Sequence, residues 1–221
     1  MGAADGGDVV TRTRIKFCGF TRPGDVRLAI ELGIDAVGFV FAVNSPRRLP
    51  LSQIDGMRAV VPPLVDVVAL FMDASGSEVL DVVRTLRPTL LQFHGRESDA
   101  FCRGFGLPFM KTLAMGGGAQ EPAAEAKRYP SAAAFLLDGH APGEAGGRGQ
   151  NFDWSTVPSL NRPVFLAGGL NTGNIAEAIR TVRPFAVDVA SGIESAPGIK
   201  DGARMQQFVE EVRRADRNSV S

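Results

Sequence analysis

The 221-residue chain is 44% hydrophobic and 22% charged, with 24 basic and 24 acidic side chains and a formal net charge of zero. That suits one globular domain with a full core, and the charge balance excludes an electrostatic footprint for nucleic acid or an anionic membrane surface. The longest apolar run, Ala36 to Val43, is far too short to span a bilayer, and Met1 to Asp8 carry neither the basic nor the apolar region of a secretory signal. Two cysteines, Cys18 and Cys102, make no disulfide framework, so a reducing cytoplasm is the expected compartment.

Residues 1–12 read as a disordered tail, 13–216 as one domain and 217–221 as a second tail. Arg14 to Cys18 alternates polar and apolar and breaks at Gly19, which marks strand one with Lys16 and Cys18 on one face. Thr21 is placed to cap the first helix, with Pro23 in its first turn and Gly33 at its end. Ala36 to Phe41 is a continuously apolar second strand, as burial on both faces demands. After a loop carrying Ser45-Pro46-Arg47-Arg48, Ser52 caps a helix to about Val61.

The unit then recurs. Strands are predicted at Asp66–Phe71, Leu90–Phe93, Phe109–Leu113 and Ala134–Asp138, and helices at Gly76–Leu86, Ser98–Phe105 and Gln120–Arg128. Gly139 to Asn151 is the longest irregular stretch, followed by a short helical segment near Trp154. Val164 to Ala167 is strand seven, Asn171 caps a helix from Thr172 to Val182, Ala186 to Val189 is strand eight, and a last helix spans about Gly202 to Ala215. Eight strand–helix units in about two hundred residues indicate a (β/α)8 TIM barrel. A doubly wound open sheet is the alternative, and it would leave the late glycine loops further apart.

Those loops are Gly168-Gly169 and Ser191-Gly192. Each follows a buried strand, and with no Cβ in the way an anion can approach the backbone N–H groups closely. Plain glycine turns are the bland reading. Two such loops on neighbouring late strands favour a phosphate cradle, the place where barrels hold phosphate.

A barrel carries its active site at the C-terminal mouth of the strands. Polar residues stand there in otherwise apolar strands: Cys18, Gln92 and His94, Asp138, and Asp188. Asp138 lies under the long loop, where exclusion of water would raise its pKa and keep a proton available. Cys18 is either a small buried hydrophobe or a thiolate tuned downward by a nearby helix N-terminus and Lys16. Lys16 either assists it or is neutralised by Asp188 across the barrel seam. Arg47 is placed to grip a carboxylate in a bidentate fork. No metal-ligand spacing, Walker loop or dinucleotide fingerprint is present, and His94 and His140 are the two histidines.

The chain resembles the phosphoribosylanthranilate isomerase family in Lys16-Phe17-Cys18-Gly19-Phe20-Thr21, Gly38-Phe39-Val40-Phe41, Ser45-Pro46-Arg47, Gln92-Phe93-His94-Gly95, Leu136-Leu137-Asp138, Gly146-Gly147, Phe152-Asp153-Trp154, Ala167-Gly168-Gly169-Leu170-Asn171 and Val187-Asp188-Val189-Ala190-Ser191-Gly192-Ile193-Glu194. The match runs in order from about Arg14 to Phe208. The resemblance implies the (β/α)8 fold and the third step from chorismate to tryptophan. In that step N-(5-phosphoribosyl)anthranilate becomes 1-(2-carboxyphenylamino)-1-deoxyribulose 5-phosphate without a cofactor. It also implies Cys18 as general base, Asp138 as general acid, Arg47 on the anthranilate carboxylate, and Gly168, Gly169, Ser191 and Gly192 on the phosphate. Gln92, His94 and Asp188 complete the expected substrate contacts. The expected partner is a small phosphosugar, with no metal, nucleic acid or membrane, and the protein is expected as a monomer or homodimer. Arg48, Gly139 and Gln150 depart from the usual family pattern. The rivals are another phosphosugar epimerase or lyase on this fold, for which Lys111 is the tempting Schiff-base lysine besides Lys16, and a silent phosphosugar-binding module.

Overall fold

The structure is a computed structural model that describes residues 12–116, 121–140 and 152–218. Eight parallel strands close into a barrel in sequence order, β1 (Arg14–Cys18), β2 (Ala36–Val40), β3 (Asp66–Phe71), β4 (Leu90–Phe93), β5 (Phe109–Ala114), β6 (Ala134–Asp138), β7 (Val164–Leu166) and β8 (Ala186–Val189). The seam is a parallel pairing of β1 with β8 that sets Lys16 opposite Asp188. Closure removes every sheet edge, and both candidate phosphate loops fall on one rim, so the open doubly wound alternative is excluded.

The register explains the polar pattern. Lys16, Cys18, Gln92, Asp138 and Asp188 share the inward face with Gly38, Val40, Leu70, Met110 and Leu136. Alternate residues such as Phe17, Leu91, Phe93 and Leu137 point outward into the core between strands and helices. Lys111 is paired with Phe93 on that outer face, where it bonds to Glu97 at 3.2 Å and to the carbonyl of Gly95 at 2.5 Å. It is a brace behind the wall, so of the two candidate Schiff-base lysines only Lys16 faces inward.

The described helices are α1 (Pro23–Glu31), α2 (Ile54–Arg58), α3 (Gly76–Leu86), α4 (Asp99–Cys102), α5 (Pro122–Ala126), α6 (Ile175–Val182) and α7 (Gly202–Asn218). The described part of the connection from β6 to β7 carries a 3-10 turn, Trp154–Thr156, where the sequence suggested a short helical segment. Helix α3 starts with a capping box in which Ser75 and Glu78 satisfy each other's backbone N–H groups, and Ser98, the expected first residue of the fourth helix, instead caps α4.

Three expected caps fail, two because the side chain has a tertiary or turn partner and one because the chain has already turned. Thr21 donates to the carbonyl of Gly198 at 2.6 Å, and α1 begins after Arg22. Ser52 sits inside a 3-10 turn, Leu51–Gln53, and the helix behind it ends at Arg58 rather than Val61. Asn171 folds into its own turn by accepting from the Gly173 N–H at 2.9 Å, so α6 starts at Ile175 and not at Thr172. A hairpin that the sequence reading did not contain, β9 (Glu194–Ala196) and β10 (Ile199–Lys200), follows β8. Gly198 makes its turn with φ of 79°, a conformation only glycine adopts cheaply.

Helix α7 locks the closing seam. Phe208 meets Phe17 edge-on at 5.8 Å, and Asp216 accepts from both the N–H and the hydroxyl of Thr13. It runs to Asn218, past the expected end at Ala215.

Candidate active site at the barrel mouth

One pocket at the C-terminal ends of the strands is lined by Cys18, Gln92, His94, Asp138, Asp188, Arg47, Gly168, Gly169 and Ser191. Among the expected site residues Gly192 alone is not in the lining. It lies directly behind, where a Cβ would collide with the carbonyl oxygen of Leu170. Glycine at this position therefore lets the loop after β8 pack backbone to backbone on the loop after β7. Gly168 and Gly169 both take positive φ, 81° and 65°, and the carbonyl of Gly169 is held by the side-chain amides of Asn171 and Asn174 at 3.1 and 2.9 Å. The two loops are thus pinned side by side with their turns facing one cleft.

The thiol of Cys18 sits against Gly38, where a Cβ would lie 2.7 Å from the sulfur, so the glycine makes room for it. The thiol is buried, and burial pushes its pKa up. Lys16 and Lys200 pull the other way, Asp188 adds to the rise, and the net direction is upward. This corrects the expected downward-tuned thiolate: Lys16 bonds to Asp188 at 2.8 Å, so much of its charge is already neutralised, and α1 begins only at Pro23. Lys16 itself is raised. Burial alone would lower it, but Asp188 and Cys18 outweigh that.

Asp138 ends β6 almost fully buried, and desolvation raises its pKa as anticipated, with nearby His140 lowering it and Asp188 raising it. The long loop expected to close over it (141–151, with Gly146-Gly147 and Gln150) lies outside the described residues, as does Gln120. His94 faces His140 with ring centroids 4.5 Å apart. Burial, His140, Lys111 and Lys16 together lower the pKa of His94 to about 3, so its imidazole is neutral at physiological pH. Among the described residues, neither ring nitrogen of His94 nor Oε1 of Gln92 has a hydrogen-bond partner, although all three are buried. Gln92 reaches Thr112 through its amide nitrogen at 3.4 Å.

Arg47 lines the pocket, whereas Arg48 is exposed. Gly19, at φ of 79°, leaves space that the Arg47 chain fills; a Cβ there would be 2.5 Å from Arg47 Cδ. The fork expected for substrate is already engaged: Nε and Nη2 of Arg47 bond to Glu194 at 2.9 and 2.7 Å, and the Nη1 side remains. Glu194 also accepts from Lys200 Nζ at 2.8 Å, and that ammonium further donates to the carbonyls of Cys18 and Ala190 at 2.5 and 3.1 Å. Burial favours the protonated form of Glu194, but Arg47 and Lys200 prevail and hold it below the usual carboxylate range. Glu194, Lys200 and His140 were missed as site-shaping residues. Glu194 closes the last recognised motif, so a signal existed; Lys200 reaches the site only because the hairpin folds back.

A closed parallel barrel that gathers a thiol, a desolvated carboxyl, an arginine and two glycine loops at its C-terminal mouth defines a (β/α)8-barrel enzyme acting on an anionic small molecule. The family model for N-(5'phosphoribosyl)anthranilate (PRA) isomerase matches residues 15–211. A relative from Xanthomonas oryzae pv. oryzae, named N-(5'-phosphoribosyl)anthranilate isomerase, is 58% identical over 216 residues, covering 95% of this chain and 97% of its own. The crystal structure of the Thermotoga maritima phosphoribosyl anthranilate isomerase superposes with a TM-score of 0.81 at 36% identity, over 91% of this chain and 98% of that one. A further isomerase of this name, in complex with reduced 1-(o-carboxyphenylamino)-1-deoxyribulose 5-phosphate, matches at 32% identity with a TM-score of 0.76, over 91% and 98%. The chain belongs to the phosphoribosylanthranilate isomerase family.

Proposed function

We propose that this enzyme converts N-(5-phosphoribosyl)anthranilate into 1-(2-carboxyphenylamino)-1-deoxyribulose 5-phosphate in tryptophan biosynthesis, with Asp138 as acid and Cys18 as base. The observation that carries this reading is a desolvated carboxyl and a buried thiol lining one pocket, with the paired glycine loops on the same wall. Asp138 protonates the ribose ring oxygen, the C1′–O bond breaks, and the electron pair of the substrate nitrogen forms an iminium ion. Cys18 as thiolate then removes the C2′ proton, and the resulting enolamine tautomerises to the ketone. The nitrogen is the electron sink, so the protein needs only to place acid, base and charge.

The raised thiol is compatible with that order. At neutral pH only a minority of Cys18 is ionised, and the iminium that Asp138 creates is a positive charge that favours the thiolate next to it. Backbone N–H groups of Gly168, Gly169, Ser191 and Gly192 receive the phosphate, the Nη1 side of Arg47 meets the anthranilate carboxylate, and Gln92, His94 and Asp188 meet the ribose. Support for the polar contacts is the set of buried atoms on Gln92 and His94 that have no partner among the described residues, which a polar ligand would satisfy.

Among the described residues no helix is long and apolar enough to cross a membrane. We place the enzyme in the cytoplasm, in keeping with two buried free cysteines. Solved members of the family include monomers made from a dimeric Thermotoga maritima protein, and a monomer or homodimer is the assembly proposed here. The test is incubation with freshly made phosphoribosylanthranilate, following loss of its anthranilate-type fluorescence with and without EDTA. Turnover unaffected by chelator is expected. No turnover would reject the reading, and turnover restored to a chelated sample by a divalent ion would favour the epimerase rival.

A further inference from the structure

Three potential metal ligands converge on one side of the mouth although their spacing in the chain gives no such hint. One ligand atom each from His94, Asp138 and His140 lies within 4.8 Å of the others, all at buried sites. In a tetrahedral zinc site with bonds near 2.0–2.1 Å, ligand atoms stand about 3.4 Å apart. The set must therefore contract by roughly 1.4 Å at most, within the reach of side-chain rotation.

The backbone beneath it is rigid. Past the end of β5, Met115 N–H bonds to the carbonyl of Asp138 at 2.8 Å and Gly116 N–H to that of His140 at 3.0 Å. A Cβ on Gly116 would collide with the carbonyl of Gly139, so this close strand-to-strand approach depends on glycine. The β5–β6 pairing thus extends two residues beyond the ladder and fixes Asp138 and His140 relative to each other. His94 directly follows β4, and its ring lies against that of His140 at 4.5 Å, tilted by 32°. Its two buried ring nitrogens have no partner among the described residues, an independent sign that the position is built to face a ligand.

We propose that His94, Asp138 and His140 form a binding site for one divalent cation of the zinc class, which excludes the isomerase substrate when occupied. Two imidazoles and one carboxylate suit Zn2+, Co2+ or Ni2+ and leave a fourth position open. Mg2+ and Ca2+ prefer an all-oxygen shell and are not accommodated. Resident metal-site histidines are normally oriented by an outer hydrogen bond on the second ring nitrogen. His94 has none among the described residues, so the site binds reversibly, as an inhibitory ion does. Ion binding stands on geometry alone. The loss of turnover rests on the reading of Asp138 as the acid, since a carboxylate bound to metal cannot hold the proton for the ring oxygen.

The test is a Co2+ titration of the full chain, read by the visible d–d absorption of tetrahedral cobalt, in the wild type and in His94→Gln, His140→Gln and Asp138→Asn. Near-native circular dichroism and melting temperature certify each variant. One equivalent of tetrahedral Co2+ is expected, displaced by Zn2+ and not by Mg2+. Each histidine substitution should weaken it by at least the roughly 10–100-fold that loss of an outer-shell partner costs a metal site. Absent binding, binding unchanged in both histidine variants, or a sulfur-to-cobalt charge-transfer band that marks Cys18 as the ligand would each overturn the site while leaving the isomerase reading intact. In the wild type, Zn2+ should inhibit turnover competitively and EDTA should relieve it. Tight Co2+ binding without inhibition would overturn the blocking role and, with it, Asp138 as the acid.

Discussion

The two sides of the barrel mouth are built on opposite principles. At the seam, where β1 meets β8 and the β9–β10 hairpin folds over, the buried charges are paired: Lys16 with Asp188, and both Arg47 and Lys200 with Glu194. Across the mouth, on and just after β4 and on β6, Gln92 and His94 keep buried polar atoms without partners among the described residues, and Asp138 is raised by desolvation. Unpaired buried polar groups cost stability unless something fills them, whereas paired ones hold geometry. The seam side is a rigid frame for the base and the carboxylate site, and the opposite side is kept hungry for the substrate.

The largest effect should come from the reacting groups, one on each side. Cys18→Ser and Asp138→Asn should each lower kcat by about 10²–10⁴-fold. Borohydride should still trap the iminium in Cys18→Ser and not in Asp138→Asn; the opposite pattern would reverse the roles. The pH profile sharpens this. Both groups are raised, and the reactive form pairs the acid of one with the thiolate of the other. kcat/KM is therefore bell-shaped in pH, with a plateau between the two pKa values. Below the plateau the thiolate is lost, and above it the acid is lost. A profile without an acid limb would show that Cys18 is not the base.

Next in size is the seam network. Glu194→Ala strands two buried cations, and removing one partner of a buried pair costs on the order of 3–5 kcal/mol. Chemical denaturation should record that loss, and a change below 1 kcal/mol would show that Arg47 and Lys200 find other partners.

Arg47→Ala should raise KM by an amount equivalent to about 2–5 kcal/mol if its pairing with the substrate carboxylate is desolvated. Arg48→Ala, an exposed residue, should stay within about 0.5 kcal/mol in both KM and stability. Damage by Arg48→Ala together with a silent Arg47→Ala would move the clamp.

Among the site residues the smallest effect belongs to His94. Its folded pKa, about 3, is below the ordinary 6.5, so the unfolded chain binds more protons between those values and stability falls as pH drops through the window. By pH 4.5 this amounts to at most roughly 3 kcal/mol, less what water screens at a partly exposed ring. His94→Asn should flatten the acid side of the stability curve by that much; an unchanged acid slope would mean that the ring is solvated.

Strand and helix periodicity, eight times over, determined the barrel, because alternation and helical spacing are local properties that burial enforces residue by residue. The inward places of Cys18, Gln92, Asp138 and Asp188 followed from the same period-two rule, and closure then put them on one rim. The caps misjudged at Thr21, Ser52 and Asn171 were decided by tertiary partners and turn geometry, since a hydroxyl or amide takes the best acceptor or donor in space rather than the nearest in sequence. Only the folded chain could set the ionisation of Cys18, where burial outweighs two lysines, one of them 182 residues away in sequence. It alone could also bring His140 to His94, or turn Glu194 back onto Arg47. Desolvation and long-range pairing depend on three-dimensional surroundings, and no window of sequence contains them.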